Sequence, residues 1–450
     1  MRNRRLVRAA AVFTGLALLV AACGDDDDTD TGSDDTTTTA PEDGASGEGN
    51  ELVGLRGTTP LPETTDAVTA FQARMDEADP ALEDYNYGPE TYDAVMLIAL
   101  AAQVAGTDGI EYASEIINVS RDGEKCTTYA DCLALIEAGT DIDFDGVSGP
   151  LDLDGVGDPI TGSYGVLSFG EGNQIDDSLT EFIVRSSPDE VADQPVVPVE
   201  GTRAGDGVLT IGTLLPETGN LAFLGPPEVA GARVAIAEIN DGGGFNGADV
   251  VLTESDSGDT STDTATTSVT RLLSENVDAI VGAASSGVTL TVIDQVVGAG
   301  VTMISPANTS KTLSTYDDNG LYFRTAPSDI LQALVLSEVI TDDGQTSIVI
   351  LNLDDAYGNG LGEDLATNFE AAGGTVVDRI VYDPQAQTFD AEVSEAAAAD
   401  ADAIVIVGFE ESSRILAALV EAGVGPNEIP TYGTDGNMGN ALGTDFNAGE

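Results

Sequence analysis

The sequence predicts an α/β fold built on mostly parallel sheets that helices cover on both faces. Short apolar runs rich in Val and Ile, such as 208–213 and 403–407, alternate with stretches of helical periodicity. Strands that are buried on both faces read as continuous apolar runs, which is typical of parallel sheets. The chain has 450 residues, of which 42% are apolar. That is enough material for two sizeable domains.

The segment 208–310 predicts a complete βαβαβ half-sheet. Strands are expected at Val208–Thr213, Val250–Glu254, Ala279–Val281 and Val301–Ile304, and helices at Glu228–Ile239, Ser268–Glu275 and around Thr291–Val297. Small, hydroxyl-rich turns follow two of these strands, at 282–287 (GAASSG) and 305–310 (SPANTS). Ligands bind beyond the carboxyl ends of such strands, and a helix amino-terminus there favours a carboxylate. The alternative is that the Ser and Thr residues only cap helices.

The segment 322–435 continues the alternation of strands and helices. We expect a crossover at Tyr322–Thr325 and a strand at Thr431–Asp435 that returns to the first lobe. Between them we expect a helix at Asp329–Ile340, strands at Ser347–Asn352, Gly374–Val381 and Ala403–Val407, and a helix at Ile415–Ala422. The chain would then form two α/β lobes.

Six separated segments carry a resemblance to a known family. They are GTLLPETGNLAFLGPP, AIAEINDGGGFNG, SDSGDT, VGAASSGVT, ISPANTS and YFRTAPSD, in this order between residues 212 and 329. Together they resemble the amino-terminal half of the type 1 periplasmic binding proteins, in the branched-chain amino acid class that supplies ABC importers. The resemblance implies two lobes, 208–322 and 326–430, joined by a three-strand hinge and closing on a ligand.

The resemblance also implies a set of ligand-binding residues. An amino acid would meet Leu224, Ser286, Ala307 and Thr309 on the first lobe, and Tyr357 and Phe409 would close on it from the second; Asp435 is the seventh residue of the set. Asp435 matches the acidic residue that meets the α-ammonium group, which suits a carboxylate in a dehydrated cleft. Ordinary packing for the two aromatic residues, and a surface turn for Asp435, are the alternatives. Because Phe409 lacks a hydroxyl and Leu224 replaces an aromatic residue of some members, amides, urea-like compounds and aromatic acids also remain candidate ligands.

The amino-terminus predicts a lipoprotein. Four arginines precede an apolar run at 9–22 that is too short to cross a bilayer, so residues 1–22 are predicted to be a signal peptide. The sequence VAAC at 20–23 resembles a bacterial lipobox, which implies cleavage before Cys23 and a lipid on its thiol. Residues 23–50 are acidic and have little to bury, so we expect a disordered tether. The export route, general or twin-arginine, stays open.

The segment 51–186 resembles the carboxy-terminal half of the same family. We expect it to form a second globular unit with a strand at Leu52–Gly57 and helices at Asp66–Ala78 and Tyr92–Ala105. The halves therefore stand in reversed order, as in a circular permutant, with 187–207 as the linker between the old termini. A rearranged or misassembled gene would leave the same trace.

Composition excludes several classes of function. The formal net charge of −63 argues against nucleic acid as a partner, and the absence of His excludes Ser-His-Asp catalysis and His-ligated metals.

Cys126 and Cys132 predict a short-range disulfide, with free thiols as the alternative. The run Asp141, Asp143, Asp145 only begins a calcium-loop pattern, and the Gly242, Gly244, Gly247 pattern follows a helix, so it predicts a helix-ending turn rather than a dinucleotide site.

These observations predict a lipid-anchored solute-binding protein on the outer face of the bacterial membrane. It would be a monomer without metal or cofactor that captures a small amino-acid-like ligand and presents it to an ABC permease. A ligand-sensing lipoprotein of the same fold is the first alternative. An acidic hydrolase that uses Asp354, Asp355 and Asp435 is the second, and a structural or adhesive lipoprotein is the third.

Overall fold

Two sheets organise the residues that the computed structural model describes, which are 49–187 and 194–449. The predicted signal peptide, the lipidation site at Cys23 and nearly all of the tether lie outside these residues. In chain order the strands are β1 (Leu55–Pro60), β2 (Glu124–Cys126), β3 (Ile142–Phe144), β4 (Thr161–Ser168), β5 (Glu181–Ser186), β6 (Thr210–Leu214), β7 (Val251–Thr253), β8 (Ala279–Gly282), β9 (Thr302–Ser305), β10 (Tyr322–Arg324), β11 (Ser347–Leu353), β12 (Thr375–Tyr382), β13 (Ala403–Val407) and β14 (Thr431–Gly433).

Helices connect and cover these strands. They are α1 (Asp66–Ala78), α2 (Gly88–Ala105), α3 (Tyr129–Glu137), α4 (Gly225–Asp241), α5 (Thr264–Ser274), α6 (Ser286–Gly298), α7 (Asp329–Asp342), α8 (Ala356–Ala371), α9 (Asp390–Ala398), α10 (Ser412–Glu421) and α11 (Asn440–Ala448). The predictions at Asp66–Ala78 and Ala403–Val407 match α1 and β13 residue for residue.

The first lobe is built on a five-stranded sheet in the order β10-β9-β8-β6-β7, in which every neighbouring pair is parallel. Helix α2 is buried along nearly its whole length and packs against α4. Their backbones approach so closely that a Cβ on Gly231 would lie 2.2 Å from the carbonyl oxygen of Gly88. The predicted βαβαβ half-sheet is therefore present, and helices from the segment 66–137 complete its cover.

The second lobe is built on a seven-stranded sheet in the order β12-β11-β13-β14-β1-β4-β5. Its strands are parallel from β12 to β1, and β4 and β5 are antiparallel to their neighbours. The prediction that 431–435 returns to the first lobe is wrong, since β14 lies between β13 and β1. The sheet thus extends beyond the predicted second lobe, 326–430.

The segment 51–186 is not a separate globular unit, which corrects the prediction from sequence. It supplies β1, β4 and β5 to the seven-stranded sheet, while its helices α1 and α2 pack on the first lobe. Apart from the linker, three connections pass between the lobes within the described residues, at 61–65, 145–160 and 325–328. These three connections form the hinge that the resemblance implied. Residues 194–207 of the linker lie along the first lobe, where Arg203 pairs with Asp278.

The structure confirms two smaller predictions, a disulfide and a helix-ending turn, and contains three helices that were not predicted. Cys126 and Cys132 form the predicted disulfide. The glycine-rich pattern after α4 is a helix-ending turn, in which Gly243 and Gly244 have φ angles of 120° and 65°. Helices α3, α8 and α9 were missed, because their apolar faces are short and interrupted by polar or small residues.

The acidic run at 141–145 meets a lysine. Lys125 Nζ lies 3.0 Å from Asp143 Oδ1 and 2.8 Å from Asp145 Oδ1. Among the residues at 49–187 and 194–449, no group of His, Cys, Asp and Glu has the arrangement of a metal site. Two of these carboxylates therefore share one ammonium group as their partner.

Within the same described ranges, no single helix has the length and apolar character needed to cross a membrane. One pair bent by 109°, Gly88–Ala105 with Ile110–Ser120, meets that test only when the two helices are taken together.

Candidate functional site

All seven ligand-binding residues predicted from the sequence line one cavity between the two lobes. The lining consists of Tyr87, Leu221, Leu224, Ala284, Ser285, Ser286, Ala307, Thr309, Tyr357, Phe409, Asp435 and Gly436. The empty space among them, including the part that is open to solvent, is about 250 Å³.

The turn after β8 forms one wall and opens helix α6. Ser285 is the N-cap of this helix, and its Oγ accepts a hydrogen bond from the Val288 amide at 3.3 Å. The helix begins at Ser286, five residues before the predicted start. Because the first amides of a helix lack intrahelical partners and carry partial positive charge, this turn can accommodate a carboxylate. The capping role that the sequence left open is therefore real for Ser285, and it leaves Ser286 on the cavity wall.

The turn after β9 forms the adjoining wall and is bonded to the first turn. Ser305 Oγ donates to the Ala283 carbonyl at 2.7 Å, and Asn308 Nδ2 donates to the Ala284 carbonyl at 2.7 Å. The Ser310 amide donates to Ser286 Oγ at 3.3 Å. These bonds fix the two turns against each other, so that Ala307 and Thr309 face the same space as Ser286.

Asp435 supplies a buried carboxylate from the second lobe. Only 4% of the residue is exposed, and each oxygen accepts a phenol hydrogen bond of 2.7 Å, from Tyr357 at Oδ1 and from Tyr87 at Oδ2. Burial raises the pKa of Asp435, although the two phenol donors oppose that shift. Burial and the charge of Asp435 raise the pKa of Tyr357 well above its ordinary value, so this phenol remains a donor. A ligand ammonium group would compensate the buried charge.

An apolar surface completes the cavity. The rings of Tyr357 and Phe409 stack with centroids 5.3 Å apart and an interplanar angle of 10°. Leu221 and Leu224 lie in the same lining from the first lobe. The cavity thus combines a helix amino-terminus, a carboxylate and an apolar wall, which are the three features that an amino acid with an apolar side chain requires.

Five lining residues were not predicted as ligand contacts: Tyr87, Leu221, Ala284, Ser285 and Gly436. Tyr87 precedes α2 and has a left-handed backbone with φ of 59°, which is uncommon for a residue other than glycine. It lies 348 positions from its partner Asp435, so no local pattern reveals the contact. Ala284 and Ser285 belong to the turn that the sequence singled out, Leu221 lies within the motif at 212–227, and Gly436 directly follows the predicted strand at 431–435.

The carboxylates suggested for a hydrolase do not converge. Asp355 is the N-cap of α8 and accepts the Gly358 amide at 2.7 Å, and Asp354 accepts Asn359 Nδ2 at 2.9 Å. Neither residue is among those that line the cavity, whereas Asp435 is. Burial raises the pKa of Asp355 to about 6, and its capping role accounts for its position.

Comparisons with known proteins give matches over both parts of the chain. The sequence profile described as "Periplasmic binding protein" matches residues 208–447, and the one described as "Receptor family ligand binding region" matches residues 25–171. The chain is 30% identical over 213 residues to the chemotactic signal transduction system substrate-binding protein BasB of Halobacterium salinarum, covering 46% of this chain and 51% of that protein. It is 27% identical over 248 residues to Leu/Ile/Val-binding protein homolog 3 of Brucella melitensis, covering 53% and 66%.

Solved structures give a weaker likeness. The branched-chain amino acid transporter substrate-binding protein LivJ of Streptococcus pneumoniae, in complex with isoleucine, is 26% identical with a TM-score of 0.47, covering 53% of this chain and 67% of that one. The chain spans about half to two thirds of the length of the curated relatives described above.

Proposed function

Because the chain belongs to the periplasmic binding protein family, we propose that it binds a small amino acid between its lobes and releases it to an ABC importer. The observation that carries this proposal is the cavity itself. Seven residues chosen from dispersed motifs lie around one space between the lobes. Asp435 supplies a buried carboxylate there, and Ser286 lies at the amino-terminus of a helix. The family is one of binding proteins, which agrees with the prediction that the chain is not an enzyme.

The apolar wall favours a ligand with an aliphatic side chain. Leu221, Leu224 and Phe409 offer no hydrogen-bonding side-chain groups to a ligand tail. Several relatives are named for binding leucine, isoleucine and valine, which supports the same class of ligand. A charged or amide tail would lose hydration in this space without gaining a partner.

The membrane anchor and the importer are part of the same proposal. The arguments for them are the lipobox at 20–23, the acidic tether that follows, and the family's association with ABC permeases. We infer that the protein is held at the outer face of the cell membrane by a lipid on Cys23 and acts there as a monomer.

We also propose that the chain is a circular permutant of the family's usual order. Strands β14 and β1 are parallel neighbours, with Leu55 opposite Thr431. Asn173 Nδ2 donates to both Glu51 Oε2 at 3.1 Å and Asn447 Oδ1 at 2.7 Å, so the two chain segments lie close together. Joining residue 450 to residue 51 would make β14, α11 and β1 consecutive, as in an ordinary parallel crossover unit.

A rotated chain tests the permutation. Residues 208–450 followed directly by 51–186 are expected to fold and to bind the same ligand as the natural order. If the rotated chain fails to fold while the natural chain binds normally, the permutation proposal is wrong.

Thermal unfolding against a panel of ligands tests the proposed binding function. A ligand at 100 times its dissociation constant adds about 2.7 kcal/mol of stability, which raises the unfolding temperature measurably. We expect leucine, isoleucine or valine to give this shift, and lysine, glutamate and benzoate to give none. A shift with none of the aliphatic amino acids would contradict the proposal.

A sensory role is the second candidate, because the relative BasB is named as a chemotactic substrate-binding protein. Transport predicts that deletion of the gene lowers uptake of radiolabelled leucine. Sensing predicts that deletion abolishes the chemotactic response to leucine and leaves uptake unchanged.

A further inference from the structure

A buried arginine lies where the connection 325–328 leaves the five-stranded sheet. Arg324 ends β10 and has no exposed surface. The connection that follows, 325–328, leads into the second lobe at α7. Burying a guanidinium group is costly unless every donor finds an acceptor, so its partners indicate what the residue does.

The first partner lies on a different connection between the lobes. Arg324 Nε donates to Asp158 Oδ1 at 2.6 Å and its Nη2 donates to Asp158 Oδ2 at 2.5 Å, which is a bidentate pair. Asp158 belongs to the connection 145–160 that enters β4. Ser314 joins both groups, since its Oγ lies 2.5 Å from Arg324 Nη2 and 2.6 Å from Asp158 Oδ2. The pair therefore links the connection 145–160 to the end of β10, where the connection 325–328 begins.

The remaining donors of Arg324 point at the turn after β9, which lines the ligand cavity. Arg324 Nη1 donates to the Ser310 carbonyl at 3.0 Å and approaches the Asn308 carbonyl at 3.4 Å. These two carbonyls flank Thr309, which is in the cavity lining. The guanidinium group thus contacts the ligand turn, 305–310, on both sides of Thr309.

Backbone amides that follow Arg324 also donate hydrogen bonds to the same turn. The Thr325 amide donates to the Ser305 carbonyl at 3.0 Å, and the Asp329 amide donates to the Thr309 carbonyl at 2.7 Å. Hydrogen bonds from 324–329 therefore reach the ligand turn at its start, middle and end. A rotation of this connection would therefore break hydrogen bonds to the turn that carries Ala307 and Thr309.

We propose that Arg324 is a positioning residue that couples the ligand turn 305–310 to the hinge, by holding the carbonyls of this turn and Asp158 in one planar fork. This inference rests on the proposed binding function, and it adds the residue through which ligand contact and lobe closure influence each other. The guanidinium geometry matters because five donors in a rigid plane reach a carboxylate and two carbonyls at once, which an ammonium group cannot do. Because a buried ion pair is often no more stabilising than apolar residues of similar volume, the role proposed for this pair is to define geometry.

The chain contains a matched control for this arrangement. Arg203 also pairs with a buried aspartate, Asp278, at 2.6 Å. It donates to three backbone carbonyls, those of Asp108, Asn276 and Val277, at 3.3, 3.0 and 3.1 Å. Asp278 Oδ2 accepts the amide of Thr210 at the start of β6, which is the end of the strand remote from the ligand turns. Arg203→Lys therefore removes the same kind of fork from the same lobe without touching the cavity.

Amide hydrogen exchange of the unliganded full chain tests the coupling directly. In Arg324→Lys, peptides that cover 305–310 are expected to exchange about tenfold faster, which corresponds to the loss of about one hydrogen bond. In Arg203→Lys, faster exchange is expected near 203 and 276–278 and not in 305–310. Ser314→Ala is the milder variant, with an expected increase of about threefold, and it decides the question if Arg324→Lys does not fold.

Leucine binding by calorimetry is the second readout. We expect the dissociation constant to rise about tenfold in Arg324→Lys and to stay unchanged in Arg203→Lys, although both variants lose stability. Unchanged exchange at 305–310 in Arg324→Lys, or an equal change in Arg203→Lys, would overturn the inference. If the wild-type chain binds no amino acid but the exchange pattern is as expected, the proposed ligand class fails while the positioning role of Arg324 stands.

Discussion

Replacing Asp435 with asparagine is expected to weaken amino acid binding about a hundredfold and to leave the fold nearly as stable as before. The carboxylate is 4% exposed and is bonded by two phenols, so it faces the ligand's ammonium group in a site with little water. Asparagine keeps the shape and lets Tyr357 continue to donate to its side-chain oxygen. The charge that attracts the ammonium group is lost, and the new Nδ2 faces the hydroxyl of Tyr87, which then has to accept a hydrogen bond instead of donating one.

The magnitude follows from the burial. Hydrogen bonds to charged groups contribute about 1.5–3 kcal/mol, and removing one partner of a buried ion pair costs about 3–5 kcal/mol. Since the two phenols already stabilise the carboxylate, we take the overlap of these ranges, about 3 kcal/mol, which is roughly a hundredfold in the dissociation constant. Because burial raises the pKa of Asp435, the unliganded protein gains little from its charge, and the free energy of unfolding should change by less than about 1 kcal/mol.

Titration calorimetry with leucine and urea unfolding measure the two quantities separately. Asp318→Asn is the control, because Asp318 is a similarly buried carboxylate of the first lobe that does not line the ligand cavity. If Asp435→Asn binds leucine as tightly as wild type, the carboxylate does not meet the ammonium group. If binding and stability fall together, the residue supports the fold rather than the ligand.

Two further predictions concern stability. Burial raises the pKa of Glu90 from 4.5 to about 8, so the folded state holds this proton more tightly than the unfolded state, and stability from this group is lost as pH rises from about 4.5 to 8. Glu90→Gln should therefore gain stability relative to wild type by up to about 1.4 kcal/mol per pH unit across that range, measured by urea unfolding at pH 5, 7 and 9. Replacing both Cys126 and Cys132 with serine should cost about 2 kcal/mol, because the disulfide closes only a short loop, and ligand affinity should not change.

Each of these two predictions would be contradicted by a specific result. A constant difference between Glu90→Gln and wild type from pH 5 to 9 would mean that Glu90 does not titrate there, and the exposed Glu428→Gln serves as the control for a general change in net charge. For the cysteines, wild type in reductant should reproduce the loss measured in the double variant. A larger loss in the variant alone would point to packing of the buried sulfur atoms rather than to the cross-link.

Much of the secondary structure was readable from the sequence because burial on both faces leaves an unmistakable pattern. The strands at 279–282 and 403–407 are continuous apolar runs, and α1 shows a clear helical period with a capping threonine at its start. Helix α3 and the early start of α6 were missed because small or polar residues interrupt the apolar pattern of their first turns, Asp131 in α3 and Ser286 and Gly287 in α6. Those residues form helix there only because capping and tertiary contacts favour it.

The candidate site was likewise predicted only in part from the sequence. The two turns after β8 and β9 were identified because strand ends of a parallel sheet meet at one edge, so local sequence fixes which residues lie there. Tyr87 was not identified, because its contact with Asp435 depends on the left-handed backbone just before α2 and on the packing of distant segments. The hinge pair of Arg324 and Asp158 was missed for the same reason, since 166 positions separate the two residues.

The sequence by itself determined the α/β class, the two turns that line the cavity, the disulfide and the absence of histidine, since each depends on neighbours within one or two elements. Tertiary structure alone decided that β1, β4 and β5 complete the sheet of the second lobe, and that β14 stays within it. Strand pairing between distant segments depends on which edges remain unpaired once the lobes have assembled. That information is a property of the whole fold and is not present in any one stretch of the chain.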